Sequence, residues 1–160
     1  MNDFVPVSFV YIDANPFIYL IEGSETLAAP IRDLFARLRS RPGSAVTSEL
    51  ALAEVLPKAP TADHRRAYLD LIARSGMIDL QPVSRDILIE TATYRRMSAT
   101  VLPDGRQVMP KLPDSIHVVT AIKSGCTRLL STDGGLRVPT GISRFEANGD
   151  GIAALLQELT

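Results

Sequence analysis

Phe9-Val10-Tyr11-Ile12-Asp13-Ala14-Asn15-Pro16-Phe17-Ile18-Tyr19-Leu20-Ile21-Glu22-Gly23 is the stretch that decides the fold. Its first residues are β-branched or aromatic, and residues 8–12 read as a buried strand. Asn15 then offers an N-cap and Pro16 fills the first helical position, so a helix follows at once and ends at Gly23-Ser24. Between strand and helix stands Asp13, a carboxylate placed at the C-terminal edge of a sheet.

The alternation of strand and helix continues outward from there. Residues 26–40 carry Leu27, Ile31, Leu34, Phe35 and Leu38 at helical spacing, broken by Arg41-Pro42-Gly43. Residues 44–47 are a short strand, and Thr47 or Ser48 caps a helix running to about Leu56. A helix over 61–75, capped by Thr61, stops at Gly76; Met77–Leu80 is a strand, and a helix runs from Ser84 to Met97. Residues 98–113 hold three prolines and one glycine in a polar setting and read as a loop. A helix over 114–124 ends at Gly125, Arg128–Ser131 is a strand, and Gly134-Gly135 turns the chain. A strand at 142–146 and a helix at 151–158 complete it. Short strands alternating with helices predict a three-layer α/β/α sandwich on a mostly parallel sheet. No repeat, low-complexity run or linker divides residues 1–160, so one domain is expected.

Length and composition agree with that class. At 160 residues the chain is long enough to bury a core without staples, and 46% hydrophobic with 22% charged residues is ordinary for a soluble globular protein. Cys126 is the one cysteine, which excludes a disulfide framework or a cysteine zinc site within the chain. The N-terminus lacks the basic start of a signal peptide, and no run approaches the roughly 18–20 apolar residues that span a membrane. A cytoplasmic protein with no membrane attachment is expected. A net charge of −1 argues against a generic nucleic-acid coat, although Arg37-Arg39-Arg41, His64-Arg65-Arg66 and Arg95-Arg96 are local basic clusters.

Four acids stand at the junctions where α/β proteins gather their sites. They are Asp13 after the first strand, Glu54 within the helix TSELALAEVL (47–56), Asp114 opening the helix at 114, and Asp133 after the strand Arg128–Ser131. Glu54 is preferred to Glu49 because it lies between Ala53 and Val55, where a partly buried carboxylate needs a cation or a donor. Carboxylates held together repel unless a cation sits among them, and an oxygen-rich set suits Mg²⁺ or Mn²⁺. That chemistry points to metal-assisted phosphodiester hydrolysis. His117, three residues past Asp114 on the same helix, is placed to contact a phosphate or hold a carboxylate; the plain alternative is a hydrogen-bonded histidine at the surface edge.

Taken in order, VYIDANPFIYLIEG (10–23), TSELALAEVL (47–56), LPDSIHVVTAIKSG (112–125) and RLLSTDGGL (128–136) resemble the PIN-domain family, and within it the VapC-type toxins of toxin–antitoxin pairs. The resemblance implies a Mg²⁺- or Mn²⁺-dependent endoribonuclease, with Asp13, Glu54, Asp114 and Asp133 as the catalytic, metal-holding acids. It implies substrate or site contacts for Asn15 and Thr132, with His117 placed beside them. It also implies an RNA substrate, a cognate antitoxin and a homodimer, with apolar surface for partners on the helices after Asn15 and Thr61. The sequence departs from the family's "TxDxxF" pattern at Asp133-Gly134-Gly135-Leu136, and the 98–113 segment and the tail past 146 lengthen it. A housekeeping ribonuclease would share the same site, and a non-catalytic binding module would share the fold. A haloacid-dehalogenase phosphatase needs a second acid two residues after the first, where this chain has Asn15.

Overall fold

In the computed structural model, which describes residues 9–134 and 136–159, the sheet is built from β1 (Val10–Ile12), β2 (Ala45–Ser48), β3 (Ile78–Gln81), β6 (Arg128–Ser131) and β7 (Ser143–Glu146). All four pairings are parallel, in the spatial order β3-β2-β1-β6-β7. The remaining strands, β4 (Thr100–Val101) and β5 (Gln107–Val108), form a separate antiparallel hairpin. The helices are α1 (Ala14–Glu22), α2 (Glu25–Arg39), α3 (Leu50–Val55), α4 (Ala62–Leu69), α5 (Arg85–Met97), α6 (Leu112–Lys123) and α7 (Gly149–Glu158).

Val10, Tyr11 and Ile12 are wholly buried, as a central parallel strand covered on both faces requires. Alternation along the strands sorts the two cores. Val10, Ile12 and Leu130 face α1, α2 and α7 with Phe17, Ile31, Leu34 and Ile152. Tyr11, Val46 and Leu129 face α6 with Val118 and Ala121. Each large apolar side chain so buried contributes about 1.5–3 kcal/mol. The result is the expected α/β/α sandwich, and it brings the C-terminal ends of β1 and β6 side by side. From there the chain leaves β1 toward β2 on one side and β6 toward β7 on the other. That divergence makes the crevice between them the topological switch point of the sheet.

Several local expectations change. The N-cap of α1 is Asp13, not Asn15: its extended backbone (ψ 172°) turns a carboxylate oxygen back to Ala14 N at 2.8 Å. α6 begins at Leu112, with Pro113 in its first turn, so Asp114 sits within that turn instead of opening the helix. The 98–113 segment is not a plain loop, since Leu102 and Arg106 close the β4–β5 hairpin. The helix after Thr61 ends in a π turn, Asp70–Arg74, and its outward face is polar; large exposed apolar side chains lie instead on α5 (Leu88, Ile89), the hairpin (Val101, Val108) and α6 (Ile122). The N-terminal reading over residues 1–8 and the Gly135 half of the expected turn fall outside the described residues. No described helix is long and apolar enough to cross a membrane.

Gly151 is fixed by packing. A Cβ on Gly151 would lie 2.0 Å from the Glu146 carbonyl oxygen, backbone against backbone, where β7 hands over to α7. Gly151→Ala is therefore expected to cost about 1–3 kcal/mol, lowering Tm by several degrees in a thermal melt with little effect on the acidic edge.

Candidate active site at the sheet edge

Period-2 alternation places Tyr11 and Asp13 on one face of β1 and its extension, toward α6. Asp13 is 8% exposed and held on both oxygens. Oδ1 accepts from Ala14 N at 2.8 Å and lies 3.4 Å from His117 Nε2, while Oδ2 accepts from Ser131 Oγ at 3.0 Å. Ser131 in turn accepts from Asp133 N at 3.1 Å, so one hydroxyl ties the first acid to the last. Asn15 Nδ2 donates to Thr132 Oγ1 at 2.8 Å. These two residues join the start of α1 to the turn after β6, bridging the switch point.

His117 is 1% exposed and spans the site. Its Nε2 contacts Glu54 Oε1 on α3, and its Nδ1 meets the Tyr11 hydroxyl at 2.5 Å, with the two rings edge-on at 65°. The surface-edge alternative is thereby set aside. Both charge states are satisfied here. The neutral ring with a proton on Nε2 accepts from Tyr11 and donates to Glu54, and the imidazolium donates to both. Burial by itself lowers the His117 pKa, but the Glu54 hydrogen bond and the charges of Asp13, Glu54 and Asp114 outweigh it, and the net shift is upward. Tyr11 is pushed well above the usual phenol range by burial and then by the Asp13 charge, so it stays a neutral phenol. Glu49, the rival to Glu54, is exposed, whereas the Glu54 side chain is 31% exposed and turned to His117.

Asp114, in the first turn of α6, is half-buried. Its carboxyl is pushed up by burial first and then by the Asp13 and Asp133 charges; His117 and Lys111 oppose the shift. Acids from β1, α6 and the end of β6 thus act on one another across the crevice. Asp133 is exposed and, with Asp114, lines a cleft beside it. Among the described residues no group of three or more histidine, cysteine, aspartate or glutamate side chains is placed to hold a metal ion. The donors are nonetheless all oxygens of mutually repelling acids, which in kind suits a hard divalent cation.

Ser131 and Tyr11 are site residues that sequence reasoning passed over. Both stand two residues ahead of an acid, at same-face positions of a strand, and that spacing was the available signal. The basic clusters serve structure where they are placed. Arg37 and Arg41 donate to the Leu159 carbonyl behind α7, Arg66 pairs with Asp63, and Arg95 donates to the Pro110 carbonyl.

A family model described as PIN domain matches residues 10–140. Three solved structures share the fold. VapC20 of Mycobacterium tuberculosis, described as a sarcin–ricin-loop-cleaving toxin, superposes with TM-score 0.60 at 16% identity over 79% of this chain and 92% of its own. A toxin–antitoxin complex from Klebsiella pneumoniae gives 0.59 at 19% identity over 84% and 95%. VapBC2 of Rickettsia felis, bound to a DNA fragment from its promoter, gives 0.61 at 13% identity over 86% and 98%. No curated protein sequence matches this chain.

Proposed function

Because this chain belongs to the PIN-domain family, we propose that it is a cytoplasmic, single-domain endoribonuclease dependent on Mg²⁺ or Mn²⁺, acting as the toxin of a type II toxin–antitoxin pair. The observation that carries the nuclease reading is the convergence of Asp13, Asp114 and Asp133 at the switch point: Ser131 ties Asp13 to the Asp133 backbone, and burial first, then the Asp13 and Asp133 charges, raise the Asp114 carboxyl. Like charges gathered at a crevice suit a hard cation among them. The toxin role draws on the fold shared with VapC20 and with two toxin–antitoxin complexes.

Asp13 and Asp114 would hold the cation, with Asp133 and Glu54 binding a second ion or orienting the attacking water. A divalent ion in such a set lowers the pKa of bound water and neutralises charge growing on a phosphate. The chain's own residues do the remaining work. Ser131 fixes the orientation of Asp13, and His117, backed by Tyr11, does the same for Glu54. Asn15 and Thr132 keep the two acid-bearing turns together and contact the substrate backbone. Lys111 stands close enough to Asp114 for its charge to act there, and it draws in phosphate. The leaving 3′ oxygen departs opposite the water, so the products carry a 5′-phosphate and a 3′-hydroxyl. An antitoxin covers the acidic cleft, and the protein forms a homodimer.

Incubation with mixed RNA in Mn²⁺ or Mg²⁺ is expected to yield internal cuts with 5′-phosphate ends, abolished by EDTA and restored by added metal. Cyclic 2′,3′-phosphate ends, or equal cutting in EDTA, would overturn the mechanism. Expression without a neighbouring antitoxin should arrest growth; normal growth alongside active cleavage removes the toxin role and leaves a housekeeping ribonuclease.

A further inference from the structure

Between the start of α6, the β4–β5 hairpin and the loop after Asp133 lies a cleft of about 540 Å³. Asp114 and Asp133 line one part of it. The rest has different chemistry. Tyr94, Val108, Met109 and Val138 supply ring and apolar walls, and Lys111 and Arg137 add positive charge. Val108 and Met109 are 47% and 48% exposed, so the hairpin presents apolar surface toward an acidic centre. The walls are braced. Arg95 Nε donates to the Pro110 carbonyl at 2.9 Å, and the Tyr94 hydroxyl donates to the Arg137 carbonyl at 3.3 Å.

We infer that this cleft is a nucleobase subsite, which takes the base and sugar of one unstacked nucleotide next to the scissile phosphate and so sets where the RNA is cut. The inference rests on the nuclease reading. Three features carry it: the cleft opens directly from the acids that would hold the scissile phosphate, it carries two cations suited to the adjoining phosphate, and its walls are apolar. A nucleotide presents an anionic phosphate and flat apolar faces in the same order. The volume lies within the roughly 300–1,000 Å³ typical of small-molecule sites. Single-stranded RNA is read by splaying bases onto aromatic and guanidinium surfaces, which Tyr94 and Arg137 provide. Ser98 and Thr100, also in the lining, offer hydroxyls to a base edge.

The test fills the cleft from its exposed wall. Val108→Trp, on a surface hairpin, is expected to cut RNA about tenfold or more slowly and to lose the wild-type base preference at the cut site. Hydrolysis of a model diester with no flat ring to seat, an RNA oligonucleotide made abasic beside the cut, should stay within about twofold, since the acids are untouched. Binding is read separately in the Asp114→Asn background by fluorescence anisotropy of labelled A₆, U₆ and C₆. These should differ in affinity, and the difference should vanish with Val108→Trp added. Unchanged cut sites and rate in Val108→Trp overturn the subsite and leave the nuclease intact. Loss of binding to an inhibitory protein with RNA cleavage unaltered also overturns it, in favour of a protein-docking surface. Wild type inert toward both RNA and the model diester sinks the nuclease reading and the subsite with it.

Discussion

Asp114→Asn is expected to lower RNA cleavage by about 10³-fold, close to 4 kcal/mol of transition-state stabilisation, and to leave the protein folded. The size of the effect follows from its place. Asp114 is raised by burial first and then by the charges of both Asp13 and Asp133, which places it among the acids at the crevice. Amide for carboxylate keeps the shape and removes one negative donor. The same substitution has an opposite effect on stability. The Asp114 carboxyl is raised in the folded state, so its favourable share is present below the unfolded value, about 3.9, and is lost as pH rises through the folded value. At neutral pH the charged group is therefore a cost in metal-free protein. Asp114→Asn should melt at or slightly above wild type in EDTA at pH 7, and this advantage should disappear near pH 3. A melt well below wild type would mean that Asp114 is a structural cap and not a cation ligand.

His117→Ala is the second large effect, and it falls first on stability. The ring is 1% exposed, and its removal leaves a cavity and strips partners from the buried Tyr11 hydroxyl and from Glu54. Cavity and unpaired groups together cost about 2–4 kcal/mol. For a chain of this size that lowers Tm by about 5–15 °C. The pH dependence has a definite sign. The His117 pKa is raised in the fold, because the Glu54 bond and the Asp13, Glu54 and Asp114 charges overcome burial. Its stabilisation is thus complete below the unfolded value, about 6.5, and is lost as pH rises through the folded value. Wild type should lose stability over that window, and His117→Ala should show a flatter profile there. Cleavage should also fall, since Glu54 loses the donor that orients it. Equal Tm in the two proteins, or equal pH slopes, would show that the Tyr11–His117–Glu54 chain carries no weight.

What the sequence revealed about this site divides by the range of the interaction. Asp13 and Asp133 end strands whose composition was plain, and the parallel pairing of Ile12 with Leu130 then made their neighbourhood inevitable. The choice of Glu54 over Glu49 also followed local logic, since only Glu54 shares its helix face with buried neighbours. His117 was less legible. Helical spacing put it near Asp114, but its burial depends on α3 packing beside α6, a contact across 63 positions that no local pattern reports. Asn15 looked like the better cap because Pro16 follows it. Asp13 won because the strand delivers its backbone already extended at the helix start. The prolines and polar residues of 98–113 masked the β4–β5 hairpin, a two-residue pairing too short to leave an alternation. Arg37 and Arg41 stood out in the sequence only as a basic cluster, and the fold turns both to the Leu159 carbonyl, a long-range contact that local composition does not report.

The central claim is that the acids gathered at the switch point exist to hold a divalent cation. Calorimetric titration of Mn²⁺ into metal-free protein, without RNA, tests it most directly when wild type, Asp13→Asn and Asp114→Asn are run side by side. Binding by wild type that weakens about tenfold or more in each variant is the expected result, one ligand being lost from a small set. Equal binding by all three proteins, or none by wild type, would contradict it.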